Sequence, residues 1–298
     1  MQDILINILE QGLIFGMLSI GVYITYKILD FPDLSVDGTF VLGGAVSAAA
    51  LLKGLNPYLS LLLALLSGII AGGVTGFLNV KLKITNILSG ILVMIGLYSI
   101  SLRIMGKANI ALFSKDNIFE GSNSKIIIIL IMAIVVKLSM DLFLKTKSGF
   151  LLIGAGDNPQ MVTSLGVDVG MIKIWGLMIS NGIVAFSGGL MAQYQKFSDI
   201  SMGTGTIIIG LASIILGESL FKNVKILKNT SIIVLGAILY KSTISIALAL
   251  GLPPTDLKLI TALIVVIALS FNKNAIKINI RKLFTKGGED LAEVNEYN

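Results

Sequence analysis

The sequence predicts an all-α polytopic membrane protein of about nine transmembrane helices, with two broken-helix segments forming an inverted repeat. Three observations carry that reading. Of the 298 residues, 55% are hydrophobic and 13% charged, with a mean hydropathy of +0.91, against roughly 25% charge in soluble domains. Long stretches carry no charge at all: Gly54 to Val80, Ile174 to Gln195 and Ile200 to Gly217. Each meets or approaches the ~20 residues that a helix needs to cross about 30 Å of hydrocarbon. Finally, one polar phrase is written twice, as "FPDLSVDG" at 31–38 and "FSDISMGTG" at 197–205. The alternation of a lipid-facing barrel is absent.

Taken in order, the apolar segments place spans at roughly 10–29, 38–53, 57–79, 84–105, 125–144, 171–194, 203–220, 230–251 and 256–271, by the length criterion for a crossing helix. Short loops rich in lysine belong in the cytoplasm. Lys81 and Lys83, then Lys145, Lys147 and Lys173, then Lys222, Lys225 and Lys228 mark three such loops. The N-terminus is therefore expected outside and the C-terminus inside. "MQDILINILEQG" has Asp3 and Glu10 and no basic residue, the wrong opening for a cleaved signal peptide, so the first helix is expected to be retained. The organisation that follows is a membrane domain over 1–275, with a cytoplasmic loop at 146–170, and a tail over 276–298 expected to be disordered at its acidic end.

Composition also excludes chemistry. The chain has no cysteine and no histidine, so disulfides are impossible and the usual zinc, haem and iron–sulfur ligand sets cannot be assembled. No metal, no cofactor and no catalytic residue is expected. Basic cytoplasmic loops account for the pI of 9.3 without a nucleic-acid partner; the expected surroundings are membrane lipid.

In the repeated phrase a Phe leads (Phe31, Phe197), followed by x-Asp (Asp33, Asp199), an aliphatic residue and Ser (Ser35, Ser201). Gly38-Thr39 follows in the first copy and Gly203-Thr204 in the second. Pro32 and the glycines are poor helix interiors, so each copy should break or start a helix. Asp33 or Ser35 could cap the first and Asp199 or Ser201 the second. Five spans separate the copies, which puts them on opposite sides of the membrane, as an inverted repeat requires. They are either interfacial caps or the lining of a solute path made by Phe31, Asp33, Ser35, Asp37, Thr39, Phe197, Asp199, Ser201, Thr204 and Lys241. Asn caps about as well as Asp, so Asn substitutions should be silent if the aspartates only cap. Lys241, midway along an apolar segment, needs a partner such as Asp37, Asp199 or Glu218, a place in the path, or room to snorkel. Lys137 and Asp141 have i,i+4 spacing for an ion pair, and Gly68, Gly72 and Gly76 form a ridge for close helix packing.

The segment 146–175, "TKSGFLLIGAGDNPQMVTSLGVDVGMIKIW", holds a short helix candidate. Asp157 or Asn158 can be its N-cap, Pro159 suits its first turn and Gly166 stops it. Met161, Val162 and Leu165 give it an apolar face that needs a protein partner. "GAGDNP" lacks the Gly-Lys-Ser/Thr ending of a P-loop and the third glycine of a dinucleotide fingerprint.

On these residues the chain resembles the permease subunits of bacterial ATP-binding-cassette importers, in the branched-chain amino acid and ribose permease superfamily. The matching pattern is Gly149, Gly154, Gly156, Asp157, Asn158 and Gly166, with Thr163 or Ser164 where alanine is common and Phe150 where Arg is usual. The stretches 28–45 and 180–218 resemble the family's broken helix and its later span with pore loop. The nearest branch is one linked to tryptophan and tyrosine uptake. The resemblance implies a permease in the bacterial cell membrane that imports a small polar solute, an amino acid and more narrowly an aromatic one. It further implies a second copy of the chain, a separate ATPase docked on Gly154 to Gly166, and an external solute-binding lipoprotein. The competing reading is an ion-coupled secondary transporter, which would have no use for a rigidly capped cytoplasmic helix.

Overall fold

The computed structural model describes residues 2–120, 125–221, 224, 227–251, 253, 259, 261–263 and 266. The chain begins with α1 (Gln2–Tyr23), which runs into a π-helical turn at Ile24–Ile28 and stops. After six non-helical residues α2 (Ser35–Leu52) starts, then α3 (Pro57–Val80) and α4 (Asn86–Met105). A short strand β1 (Asn109–Ala111) leads to α5 (Lys125–Phe143), and two short helices follow, α6 (Lys147–Asp157) and α7 (Pro159–Ser164). The second half repeats the plan: α8 (Val169–Gln195), a break containing β2 (Phe197–Asp199), α9 (Thr206–Phe221) and α10 (Asn229–Ala249).

Seven of these helices are long and apolar enough to cross a membrane, and α9 is a shorter apolar one. At 1.5 Å per residue its 16 residues reach about 24 Å, short of the hydrocarbon thickness. The first helix starts eight residues before the expected span and carries Asn7 with it; Glu10, where the span was expected to begin, is buried and accepts a hydrogen bond from the Tyr194 hydroxyl at 2.8 Å. The expected span at 256–271 lies largely outside the described residues, and the tail wholly so.

Packing repeats as the sequence does. α8 is covered by α3 and α2, while α1 is covered by α10 and α9; α2 packs on α3 as α9 packs on α10. The two long helices α1 and α8 meet each other, and α2 meets α9. Exchanging α1, α2 and α3 for α8, α9 and α10 maps the contacts onto themselves, which is the internal symmetry expected of an inverted repeat. Contacts at the basic end join Lys27 to Glu218, and Lys228 to Asp141, fixing that end as the meeting point of α1, α5, α9 and α10.

Glycine makes these crossings possible. A Cβ at Gly43 would overlap the carbonyl of Ala185, and one at Gly188 the carbonyl of Phe40, so α2 and α8 touch backbone to backbone at reciprocal positions. The expected ridge does the same for α3: Gly68, Gly72 and Gly76 meet Asn181, Leu177 and Ile174 of α8. Lys137 pairs with Asp141 at 2.9 Å, as their spacing indicates, and Asp141 also takes Lys228 and the Thr230 hydroxyl.

Gly43→Ala should lower the thermal midpoint in detergent, at a cost of about 1–3 kcal/mol from overpacking. Gly73→Ala, where the new methyl finds ordinary contact at 3.5 Å with Met178, should be neutral or stabilising by up to about 1 kcal/mol. Equal midpoints for the two variants would refute the close-crossing account.

Candidate functional site

Each copy of the polar phrase folds into the same local structure. In the first, the Asp33 carboxylate accepts the Ser35 backbone N–H at 2.8 Å; in the second, Asp199 accepts that of Ser201 at 2.8 Å. The other carboxylate oxygen is held by an asparagine each time, Asn181 on Asp33 at 2.8 Å and Asn109 on Asp199 at 2.9 Å. The copies differ in surroundings. Asp33 and Ser35 are buried, and the Ser35 hydroxyl reaches Asn181 at 3.3 Å. Asp199 sits at the surface, where hydrogen bonds from Ser201 and Asn109 hold its carboxyl below the ordinary range.

The caps only partly follow the expectation. Asp33 bonds the first turn of α2, but α9 is capped from the other half of the molecule. Asp37 accepts the N–H groups of Gly205 at 2.9 Å and Ile207 at 2.8 Å, and the Thr206 hydroxyl at 2.9 Å. Its two oxygens thus satisfy donors that a helix start leaves orphaned. The N-termini of α2 and α9 converge here. The chain from Phe197 to Gly205 leads there along α2: β2 pairs antiparallel with β1 (Asn109 opposite Asp199, Ala111 opposite Phe197), Ser198 and Met202 lie against Gly44, and Gly203 presses on the Asp37 carbonyl.

In front of this junction opens a cleft of about 470 Å³, lined by Asp37, Gly38 and Val41 of α2, Met94, Tyr98 and Ser99 of α4, and Ile200, Gly203 and Thr204. It brings together two of the sequence-predicted path residues, Asp37 and Thr204. Phe31, Asp33, Ser35 and Thr39 are buried beside it, Thr39 bonding back to the Ser35 carbonyl at 3.0 Å. Phe197, Asp199 and Ser201 lie in the chain that leads to Ile200, Gly203 and Thr204 but do not line the cleft themselves. Lys241 lies elsewhere, on α10: its ammonium reaches Gln11 at 3.2 Å and sits 4.2 Å over the Phe15 ring. None of Asp37, Asp199 and Glu218 is its partner, since each is engaged as described. It borders a separate cleft of about 620 Å³ with Asn7, Gln11 and Ser245.

Sequence reading missed Tyr98 and Ser99 as site residues, and with them Asn181, an amide inside a charge-free run. The latter was visible as a polar group that an apolar helix must place against a partner.

At the basic end, α7 forms as its residues dictate. The Asn158 side chain accepts the Met161 N–H at 3.0 Å, Pro159 occupies the first turn and Gly166 has φ of +76°. Gly154 and Asp157 belong instead to α6. The glycines of the motif are points of close approach: Gly154 receives Val162, and Gly156 lies against the carbonyl of Ile28 in the π-helical turn. Val162 is fully buried, while Met161 is 51% and Leu165 63% exposed. The free apolar face therefore consists of Met161 and Leu165, with Val162 fastening α7 to α6.

Comparison with known proteins agrees with this architecture. The family described as the permease component of branched-chain amino acid transport systems matches residues 4–270. A tyrosine transport system permease protein of Clostridioides difficile is 50% identical over 282 residues, covering 95% of each chain. An uncharacterized protein of Rickettsia prowazekii is 36% identical over 276 residues, 90% of this chain and 98% of its own. A probable branched-chain amino acid transport permease of Methanocaldococcus jannaschii is 29% identical over 228 residues, 68% and 70% of the two chains. No solved structure matches. The duplicated broken helices, the seven helices long and apolar enough to cross a membrane among the described residues, and the match along most of its length together assign the chain to the branched-chain amino acid permease family, as a multi-pass cell-membrane permease component of an ATP-binding-cassette importer.

Proposed function

We propose that this permease moves an aromatic amino acid through a path lined by Asp37, Tyr98, Ser99 and Thr204, shared between two copies of the chain. Permeases of this family work with an ATPase and an external solute-binding protein, and the solute-binding lipoprotein is the expected donor here. The carrying observation is the cleft at the α2–α9 junction. It joins hydroxyls to an apolar wall of Val41, Met94 and Ile200, the mixture that an amino acid with a phenol or indole side chain needs. The 50% identity to a permease named for tyrosine transport supports the same solute class. The second copy follows from the family resemblance, in which each chain supplies one half of the path. ATP hydrolysis then belongs to a separate subunit docked on Met161 and Leu165.

Three experiments test the reading. Tyr98→Ala should slow uptake of labelled tyrosine or tryptophan about tenfold, the effect of losing one well-packed aromatic contact, with ATPase co-purification intact; unchanged uptake of both solutes removes Tyr98 from the path. Leu165→Glu should abolish ATPase co-purification while the thermal midpoint holds. Val162→Glu, by contrast, buries an unpaired carboxylate and should unfold the α6–α7 unit, at a cost of several kcal/mol. Matching behaviour of these two variants would contradict the division between exposed and fastening residues.

The third concerns Asp33. Asn at this position is not a silent cap, because its NH₂ would face the Asn181 NH₂ in place of an acceptor. Asp33→Asn should destabilise the purified protein by about 1–3 kcal/mol, the range for an unsatisfied buried donor, and Asn181→Asp in the same chain should recover part of the loss. An Asp33→Asn midpoint equal to wild type would show that the pair carries no load.

A further inference from the structure

The short helix α9 is held at both ends by polar ties to the other half of the molecule. Its N-terminus is fastened by the three hydrogen bonds to Asp37 of α2. Near its other end Glu218 pairs with Lys27 at 3.2 Å, inside the π-helical turn that follows α1. Along its length α9 packs on α10 through backbone-level contacts, with Gly217 against Ile232 and Gly236 against Ser213, so these two helices form one body. Against α2 it has the Asp37 bonds and the approach of Gly203, and against α1 it packs through Gly210 on Leu18 and Val22.

α6 touches the bundle at this π-helical turn as well as on α8, where Leu152 meets Gly176. Gly156 leaves no room for a side chain against Ile28, one residue from Lys27. The turn is irregular: Phe31 N–H reaches back to Thr25 O at 2.8 Å, and Asp30 holds φ at +50°. Such wide turns and left-handed non-glycine residues concentrate where a backbone must yield. A push on α6 is therefore delivered beside the basic-end tie of α9, while the opposite end of α9 abuts Thr204, Gly203 and the cleft.

We propose that α9, moving as one body with α10, transmits the state of α6 and α7 to the solute cleft, and that Asp37 is the positioning residue that latches it closed. The Lys27–Glu218 pair is partly exposed and is the weaker tie, as exposed ion pairs are. It releases first when α6 moves; the Asp37 bonds then exchange, and the segment ending at Gly205 shifts away from α2. This inference rests on the importer reading above, in which an ATPase acts on α6 and α7.

The experiment uses the whole transporter, purified with its ATPase and reconstituted in liposomes. Asp37→Asn, which keeps one acceptor oxygen and turns an NH₂ toward the remaining donors, and Glu218→Gln are each compared with wild type. The readout is ATP hydrolysed per tyrosine or tryptophan moved, together with labelling of Thr204→Cys by an impermeant maleimide. Because the chain has no cysteine, that thiol is the permease's own sole target; Ser99→Cys serves as a second reporter.

Each variant should raise the ATP-per-solute ratio about two- to thirtyfold, the span expected of residues along a coupling route. The nucleotide dependence of labelling should disappear in Asp37→Asn. A role confined to stability lowers hydrolysis and uptake together and leaves the ratio unchanged, so a constant ratio with nucleotide-dependent labelling in both variants overturns the proposal. If wild type moves solute on an ion gradient with no ATPase, it is instead the importer reading that fails.

Discussion

A helix that starts inside an apolar body leaves backbone N–H groups with nothing to bond, and this fold starts two helices that way. Each orphan donor buried without a partner costs free energy comparable to a lost hydrogen bond. The carboxylates of Asp33 and Asp37 answer that cost, one within its own turn and one across the molecule. Everything else is arranged around them. Asn181 holds Asp33 in place, and the Gly68–Gly76 ridge lets α3 lie close enough to α8 to wall in that asparagine. The Gly43 and Gly188 crossing sets the depth at which α2 begins. Where the caps converge, polar side chains and an apolar wall share one cleft.

The duplicated phrase has kept its backbone geometry and divided its duties. Both copies make the same aspartate-to-serine turn and both recruit an asparagine, yet the first is buried and the second lies at the surface. Asp37 has no acidic counterpart, since glycine stands at the corresponding place in the second copy. The symmetry of the fold is broken at a residue that joins its halves.

Features set by local chemistry were legible in the sequence. Eight of the nine expected spans have a counterpart among the described helices, the Asn158–Pro159–Gly166 punctuation gives α7, and Lys137–Asp141 and the α3 ridge form as their spacing indicates. Features set by long-range contact were not. Nothing near Asp37 in the chain announces donors at 205–207, and helical spacing alone cannot distinguish Val162, buried under α6, from its exposed neighbours Met161 and Leu165. Lys241 illustrates the same limit: its surroundings are an amide and an aromatic face, which no search for an opposite charge would have found. Tyr98 and Ser99 become notable only because the α2–α9 junction faces them.

The cap that Asp37 places on α9 has a consequence for synthesis. When the ribosome has made the first half of the chain, residues 205–207 do not yet exist, and Asp37 lacks the three donors that it binds in the finished fold. A bare carboxylate is costly in hydrocarbon, which favours water around Asp37 until the second half is in place. The same contact that shapes the finished cleft thus makes the seating of the first half depend on the second.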